Sequence, residues 1–209
     1  MFSQFKGSTF ENSYCFNLDS SFQKIPSDLS FECKAVGPWL LNYKPWLQQM
    51  MDSRELNREM FFSRFPASIS SLTRYLVKGP IENPNQILFL IFDQLGILHG
   101  HVGLKQDLTG NFNIDNVLRI TRGTPSVIRM ALRAILTWGN EKFGISEYRL
   151  QVISTNKRAI AIYNELGFSI QKRIKLRTKN FSDGSTSLVP STKRNSNSAE
   201  EMFIMTIKI

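Results

Sequence analysis

The stretch TNKRAIAIYNELGF, residues 155–168, decides how the rest of the chain is read. Asn156 is a residue type that caps a helix through its side-chain oxygen. From there Ala159, Ile160, Tyr163 and Leu166 recur at three- and four-residue spacing, which sets a helix over 156–166 with one apolar face. Gly167 suits the position just past a helix end, where the backbone turns left-handed, and Phe168 opens a buried strand. Packing explains all of these except Asn156 and Tyr163. Asn156 is either an N-cap or a ligand contact, and Tyr163 is either a core tyrosine with a satisfied hydroxyl or a working phenol.

Upstream, YRLQVIS reads as a strand over 148–154. Before it, Val127, Met130, Ala131, Ala134, Ile135 and Trp138 repeat at helical spacing while Arg129 and Arg133 fall off that face, so an amphipathic helix runs to about Gly144. The segment NVLRITRGTPSV carries a strand into a turn at Gly123, Thr124, Pro125 and Ser126, immediately before that helix. Such a turn can point several free backbone N–H groups at a phosphate. Three extended runs precede it, QILFLIFD, ILHGHVGLKQ and NFNIDNVLRI, joined by short connections at Gly96 and Gly110, which makes an antiparallel meander.

In the first third, a strand is expected over 29–36. A helix after Gly37-Pro38 then runs through Leu47 and Met50 with Pro45 as its divider. A second helix starts at Ser53 as N-cap and ends at Pro66, and a third reaches Leu76. Residues 1–28 show no periodicity and are expected as an N-terminal extension to a domain over 29–209. Strands near 169–177 and 202–209 flank a polar stretch, 179–200, expected as a long mobile insertion.

A chain of 209 residues with 42% hydrophobic and 21% charged residues fits one elaborated domain. Its longest apolar run, from Ile87 to Phe92, is far too short to cross a bilayer. The start MFSQFKGSTFENSYCF lacks a basic and then apolar leader, so the cytoplasm is the expected location. Cys15 and Cys33 are too few for a disulfide framework, and His99 and His101 have no third ligand at a recognisable spacing, so no metal is expected. The net charge of +9 favours anionic partners, and residues 157–194 are basic with only Glu165 and Asp183 opposing. Charge alone does not choose between nucleic acid, an acidic membrane surface and a phosphorylated cofactor.

The spacing N-x-x-A-I-x-x-Y-x-x-x-G-F, here Asn156, Ala159, Ile160, Tyr163, Gly167 and Phe168, closely resembles a segment of the GNAT acetyltransferases. The resemblance covers about residues 87–178. It implies an α/β fold, a twisted, mixed, mostly antiparallel sheet with helices on both faces, and N-acetylation of a primary amine with acetyl-CoA as co-substrate. In that family the strands matching 112–120 and 148–154 splay apart around the pantetheine arm. Pyrophosphate is then expected at Gly123, Thr124, Ser126, Val127 and Ile128, the arm at Asn156, and an amide for the thioester oxygen at Val117 or Leu118. Tyr163 matches a tyrosine placed near the CoA sulfur. One departure stands out: the usual phosphate loop reads Q/R-x-x-G-x-G/A, whereas Pro125-Ser126-Val127-Ile128 falls where its glycine-bearing turn belongs.

The run IDNVL, the turn Pro125 to Ile128 and Trp138 resemble a narrower GNAT branch associated with bacterial surface-sugar biosynthesis, which implies an amino-sugar nucleotide as acceptor. A protein N-terminus or lysine is the alternative acceptor, and a homodimer is left open. A reading from another class is an inactive GNAT fold that uses its basic surface on RNA or a partner, although nucleic acid is not the expected partner. For the general base, Asp115 lies on the strand entering the site, while His99 and His101 share one face of the neighbouring strand by the period of two.

Overall fold

The computed structural model describes residues 1–18, 30–64, 68–122, 124, 126–191 and 200–209. Its strands are β1 (Cys15–Asn17), β2 (Phe31–Ala35), β3 (Ser63–Arg64), β4 (Gln86–Asp93), β5 (Leu98–Gln106), β6 (Phe112–Arg119), β7 (Glu147–Ile153), β8 (Ser169–Asn180), β9 (Thr186–Pro190) and β10 (Glu201–Lys208). Its α-helices are α1 (Lys44–Leu56), α2 (Ile69–Leu76), α3 (Val127–Phe143) and α4 (Lys157–Glu165). The strands form one sheet in the order β1-β2-β4-β5-β6-β7-β10-β8-β9-β3, and among the described residues only β6 and β7 pair in parallel.

Strand β4 shows why helices cover both faces. Every one of its residues is buried. Ile87, Phe89 and Ile91 join the core under α3, while Leu88, Leu90 and Phe92 join a second core with Leu47, Met50 and Leu76 of α1 and α2. Alternation along a strand sends successive side chains to opposite faces, so an unbroken apolar run demands cover on both. Helix α3 buries the predicted stripe, and Gly144 ends it at φ 66°, the left-handed turn that glycine tolerates without a Cβ clash.

Within the first 18 residues, Phe2 and Leu18 join the main core, while residues 19–29 lie outside the described residues. Phe2 is fully buried, stacks on Trp138 and meets Phe143 edge-on, and its N–H donates to the Pro84 carbonyl at 2.7 Å. Burying a phenylalanine of this kind contributes roughly 1.5–3 kcal/mol.

Three sequence expectations are corrected. Pro45 does not divide a helix; it sits in the first turn of α1, where its missing N–H has no helical partner to lose. Ser53 is a buried residue inside α1, and the working N-cap is Ser68, which exchanges hydrogen bonds with Ser71 in a capping box at the start of α2. In the polar stretch 179–200, residues through 190 form the end of β8 and all of β9, with β3 paired on the outer edge; residues 192–199 lie outside the described residues. Among the described residues no helix is long and apolar enough to cross a membrane.

Candidate functional site

Strands β6 and β7 pair only at Phe112↔Tyr148 and Asn113↔Arg149, and beyond these two positions no ladder joins them. The foot of this opening is fixed from α3. Tyr148 is fully buried and its hydroxyl donates to the Leu136 carbonyl at 2.8 Å, in a space that exists because Gly139 carries no side chain. Between the parted strands lies a cleft of about 140 Å³. Asp115, Asn116 and Val117 line it from β6, Asn156 and Tyr163 from α4 and its cap, and Met60, Phe61 and Phe62 from the segment between α1 and α2.

Strand β6 is distorted where it borders the cleft. Its register with β5 passes from Gly103↔Asp115 to His101↔Leu118, so two steps along β5 match three along β6. Asn116 stands at the bulge with φ 48° and is the only non-glycine residue of positive φ among the described residues. Leu118 keeps a partner on β5, whereas neither neighbouring ladder registers Val117. The candidates for an amide donor therefore differ in circumstance.

Tyr163 is buried at the cleft wall with its ring against Phe168. Burial, and then the charge of Asp115, push its phenol well above the usual tyrosine range, so it stays protonated and able to donate. The carboxyl of Asp115 is pushed up by burial, against the opposing pull of the Asn116 amide, Lys105 and Arg54. A carboxylate raised in this way is a better proton acceptor than an ordinary aspartate. Asn156 caps α4, its Oδ1 accepting the Ala159 N–H at 3.2 Å, and it lines the cleft as well.

The two histidines do not share a face or reach the cleft lining. The β4–β5 register moves from Ile91↔Gly100 to Phe92↔Leu98, which leaves His99 in a bulge and breaks the period of two. His99 Nε2 pairs with Asp93 Oδ2 at 2.9 Å and its ring meets Phe31 edge-on. His101 is buried, and its Nδ1 donates to the Asn116 carbonyl at 2.6 Å. Burial lowers its pKa to about 4, so the imidazole is neutral near pH 7.

At the other end of the cleft, α3 begins at Val127 with Ser126 as its cap residue, and no side chain caps the first turn. The first N–H groups of a long helix have no intrahelical acceptor and carry the positive end of its dipole. The bulky Val127 and Ile128 are compatible with this role because both side chains are buried in the core beneath the sheet. Thr124 and Ser126 belong to the same turn; Gly123 and Pro125 lie outside the described residues. The turn also gathers cations that the family pattern did not point to. Arg119 is held below its usual range by burial and by the like charges of Arg158 and Arg122. Three mutually repelling guanidinium groups fit a site for a polyanion, since a bound phosphate would relieve them. The signal in the sequence was spacing: Arg119 and Arg122 precede the turn three residues apart.

The lining segment from Met60 to Phe62 is apolar and tied down from afar. Phe62 packs against the small core of Ile153, Leu176, Leu188 and Met202, and its carbonyl accepts the Leu188 N–H at 2.7 Å. Arg64 pairs with Glu200 at 2.8 Å and Glu59 at 3.0 Å, and Arg54 lies over the Phe61 ring at 4.2 Å.

No family model matches the sequence, and no curated protein matches it by sequence. Solved structures do match in fold. Spermidine N-acetyltransferase from Vibrio cholerae, in complex with CoA and spermine, superposes with a TM-score of 0.62 at 15% identity, over 88% of this chain and 96% of that one. RimL, a ribosomal alpha-N-protein acetyltransferase in an apo form, gives 0.65 at 13% identity over 88% and 93%. The microcin self-immunity acetyltransferase MccE, in complex with acetyl-CoA and AMP, gives 0.62 at 15% identity over 91% and 100%. The chain has the GNAT fold: a single α/β domain around a mixed, mostly antiparallel sheet.

Proposed function

We propose that this chain is an acetyl-CoA-dependent N-acetyltransferase acting on a primary amine. The observation that carries the reading is the parting of β6 and β7 beside a bulge, with Tyr163 and Asp115 on the walls of the gap. The co-substrate's phosphates would meet the α3 N-terminus with Arg119, Arg122 and Arg158, and its arm would pass Asn156.

The chemistry then follows from proton positions. Asp115, as carboxylate, takes a proton from the acceptor amine, whose nitrogen bonds to the thioester carbon. The carbonyl oxygen becomes an oxyanion, stabilised by the Val117 N–H. The C–S bond breaks and the sulfur takes the Tyr163 hydroxyl proton, which the proton held by Asp115 replaces. Amine and acetyl-CoA become acetamide and CoA thiol, with both side chains restored.

For the acceptor, the IDNVL strand and Trp138 favour an amino-sugar nucleotide. A second reading, a protein or peptide amine, is favoured by the apolar wall of Met60, Phe61 and Phe62. Both readings place the enzyme in the cytoplasm, with self-association into a dimer compatible with either. Thiol release from acetyl-CoA, measured against a panel of amino-sugar nucleotides, peptides with free N-termini and polyamines, tests the reading. Amine-stimulated release is expected from one class. No release from any amine, with no rise in melting temperature on adding CoA, would leave the chain a non-catalytic binding protein, and steep salt-dependent RNA binding would then identify its ligand.

A further inference from the structure

Both backbone polar groups of Asn116 are held. Its N–H donates to Asp115 Oδ1 at 2.8 Å and its carbonyl accepts from His101 Nδ1 at 2.6 Å. Asparagine enters the left-handed region more readily than other side-chain-bearing residues, and at φ 48° Asn116 is held there from both sides. The surroundings here are shaped for that purpose. Gly100 and Gly103 flank His101 on β5, and a Cβ on either would meet the Leu118 carbonyl oxygen at 2.5 Å or the Asp115 carbonyl oxygen at 2.8 Å. Strand β5 thus approaches β6 closely on both sides of the bulge, with the imidazole seated between.

We propose that His101 is a positioning residue for acetyl transfer: its Nδ1–H grips the Asn116 carbonyl, whose peptide unit also carries the Val117 N–H, fixes the bulge that keeps Val117 out of both ladders, and through the Asn116 backbone orients the Asp115 carboxylate. One hydrogen bond thereby aligns the amide that meets the oxyanion and the group that takes the amine proton. The imidazole itself touches neither substrate. Buried and neutral, it donates from Nδ1, and its rigid ring delivers that proton from a fixed distance off the β5 backbone. The geometry also explains why a histidine on this strand looked like a base in the sequence: it is bound to the active strand but faces the main chain.

This inference rests on the acetyltransferase reading, and wild-type turnover decides that reading separately. If the wild-type protein shows no amine-stimulated thiol release, the reading fails before His101 is tested. Given turnover, His101→Leu removes the donor. Its kcat is expected to fall about 10- to 100-fold, less than the loss of an oxyanion donor outright, with KM for acetyl-CoA and the Kd of CoA within about 3-fold. His101→Asn places an amide N–H where Nδ1 stood and should recover most of that loss. Unchanged kcat in His101→Leu overturns the proposal, as does a His101→Asn enzyme no faster than His101→Leu, since then shape and not the hydrogen bond matters. Should the leucine variant fail to fold, His101→Asn is compared with His101→Gln, whose amide reaches one atom further. A roughly ten-fold advantage for asparagine supports the proposal, and equal turnover overturns it.

Discussion

At the α3 end of the cleft, the side chains come from neighbouring parts of one strand–helix–strand–helix unit, between Phe112 and Tyr163. The wall of Met60, Phe61 and Phe62 is instead secured by β9 and by an Arg64–Glu200 contact spanning 136 residues. On the proposed reading, the backbone amides and converging cations of the first part would hold the phosphates of the co-substrate, and the apolar side chains of the second would meet the acceptor. The difference suggests that a common co-substrate is met by local, backbone-based structure and a particular acceptor by distant side chains.

Substitutions can break this contrast where it is sharpest. Asp115 stands between the two halves, and Asp115→Asn should lower kcat by about 10²–10³-fold while CoA binding holds, because only proton removal is lost; comparable kcat in steady-state assays would remove Asp115 from the chemistry. On the cofactor side, Arg122→Ala should weaken CoA by roughly 10-fold in calorimetry, the scale of one charge-assisted contact. It should nonetheless leave the ligand-free melting temperature level or slightly higher, since Arg122 repels Arg119. A lower melting temperature would mean that the cations are structural. On the acceptor side, Phe61→Ala should raise the acceptor KM about 5-fold and leave the Kd of CoA alone. A matching loss of CoA affinity would show that the halves are not separate.

A stability effect is expected at the bulge that borders the cleft. Folded His101 titrates near 4 against 6.5 for an ordinary histidine, so between these values the unfolded chain binds a proton that the native one refuses. With Arg54 as its charged neighbour, the native state is fully stable above that window and loses up to about 3 kcal/mol as pH falls through it. His101→Asn should flatten this slope in urea melts at pH 6.5 and 4.5, and an unaltered slope would assign the loss to other groups.

The contrast also separates what could be read from the sequence from what could not. Helix α3, the meander of β4 to β6 and the α4 segment are local patterns of period 3.6 or 2, and Gly144, Gly96 and Gly110 mark their ends with the positive φ that turns require. Tyr163 and Asn156 were singled out by the family resemblance of the α4 segment and Asp115 by its place on the strand, and all three line one cleft. His99 was misplaced because a bulge in β4–β5 pairing shifts the side-chain alternation, and a bulge depends on the partner strand. Met60, Phe61 and Phe62 went unremarked as site residues because their role comes from β9, far along the chain. Phe2 could not be assigned to the core, as a single aromatic residue has no period until Trp138 and Phe143 are placed around it.

The central claim, that the gap between β6 and β7 holds a thioester beside Tyr163, is tested most directly by single-turnover thiol release in Tyr163→Phe, with the CoA Kd measured on the same protein. The account predicts turnover lower by about 10- to 100-fold, the range of one general acid, and a Kd within about 2-fold of wild type. Turnover at the wild-type rate would contradict it and return Tyr163 to the core as a packing residue.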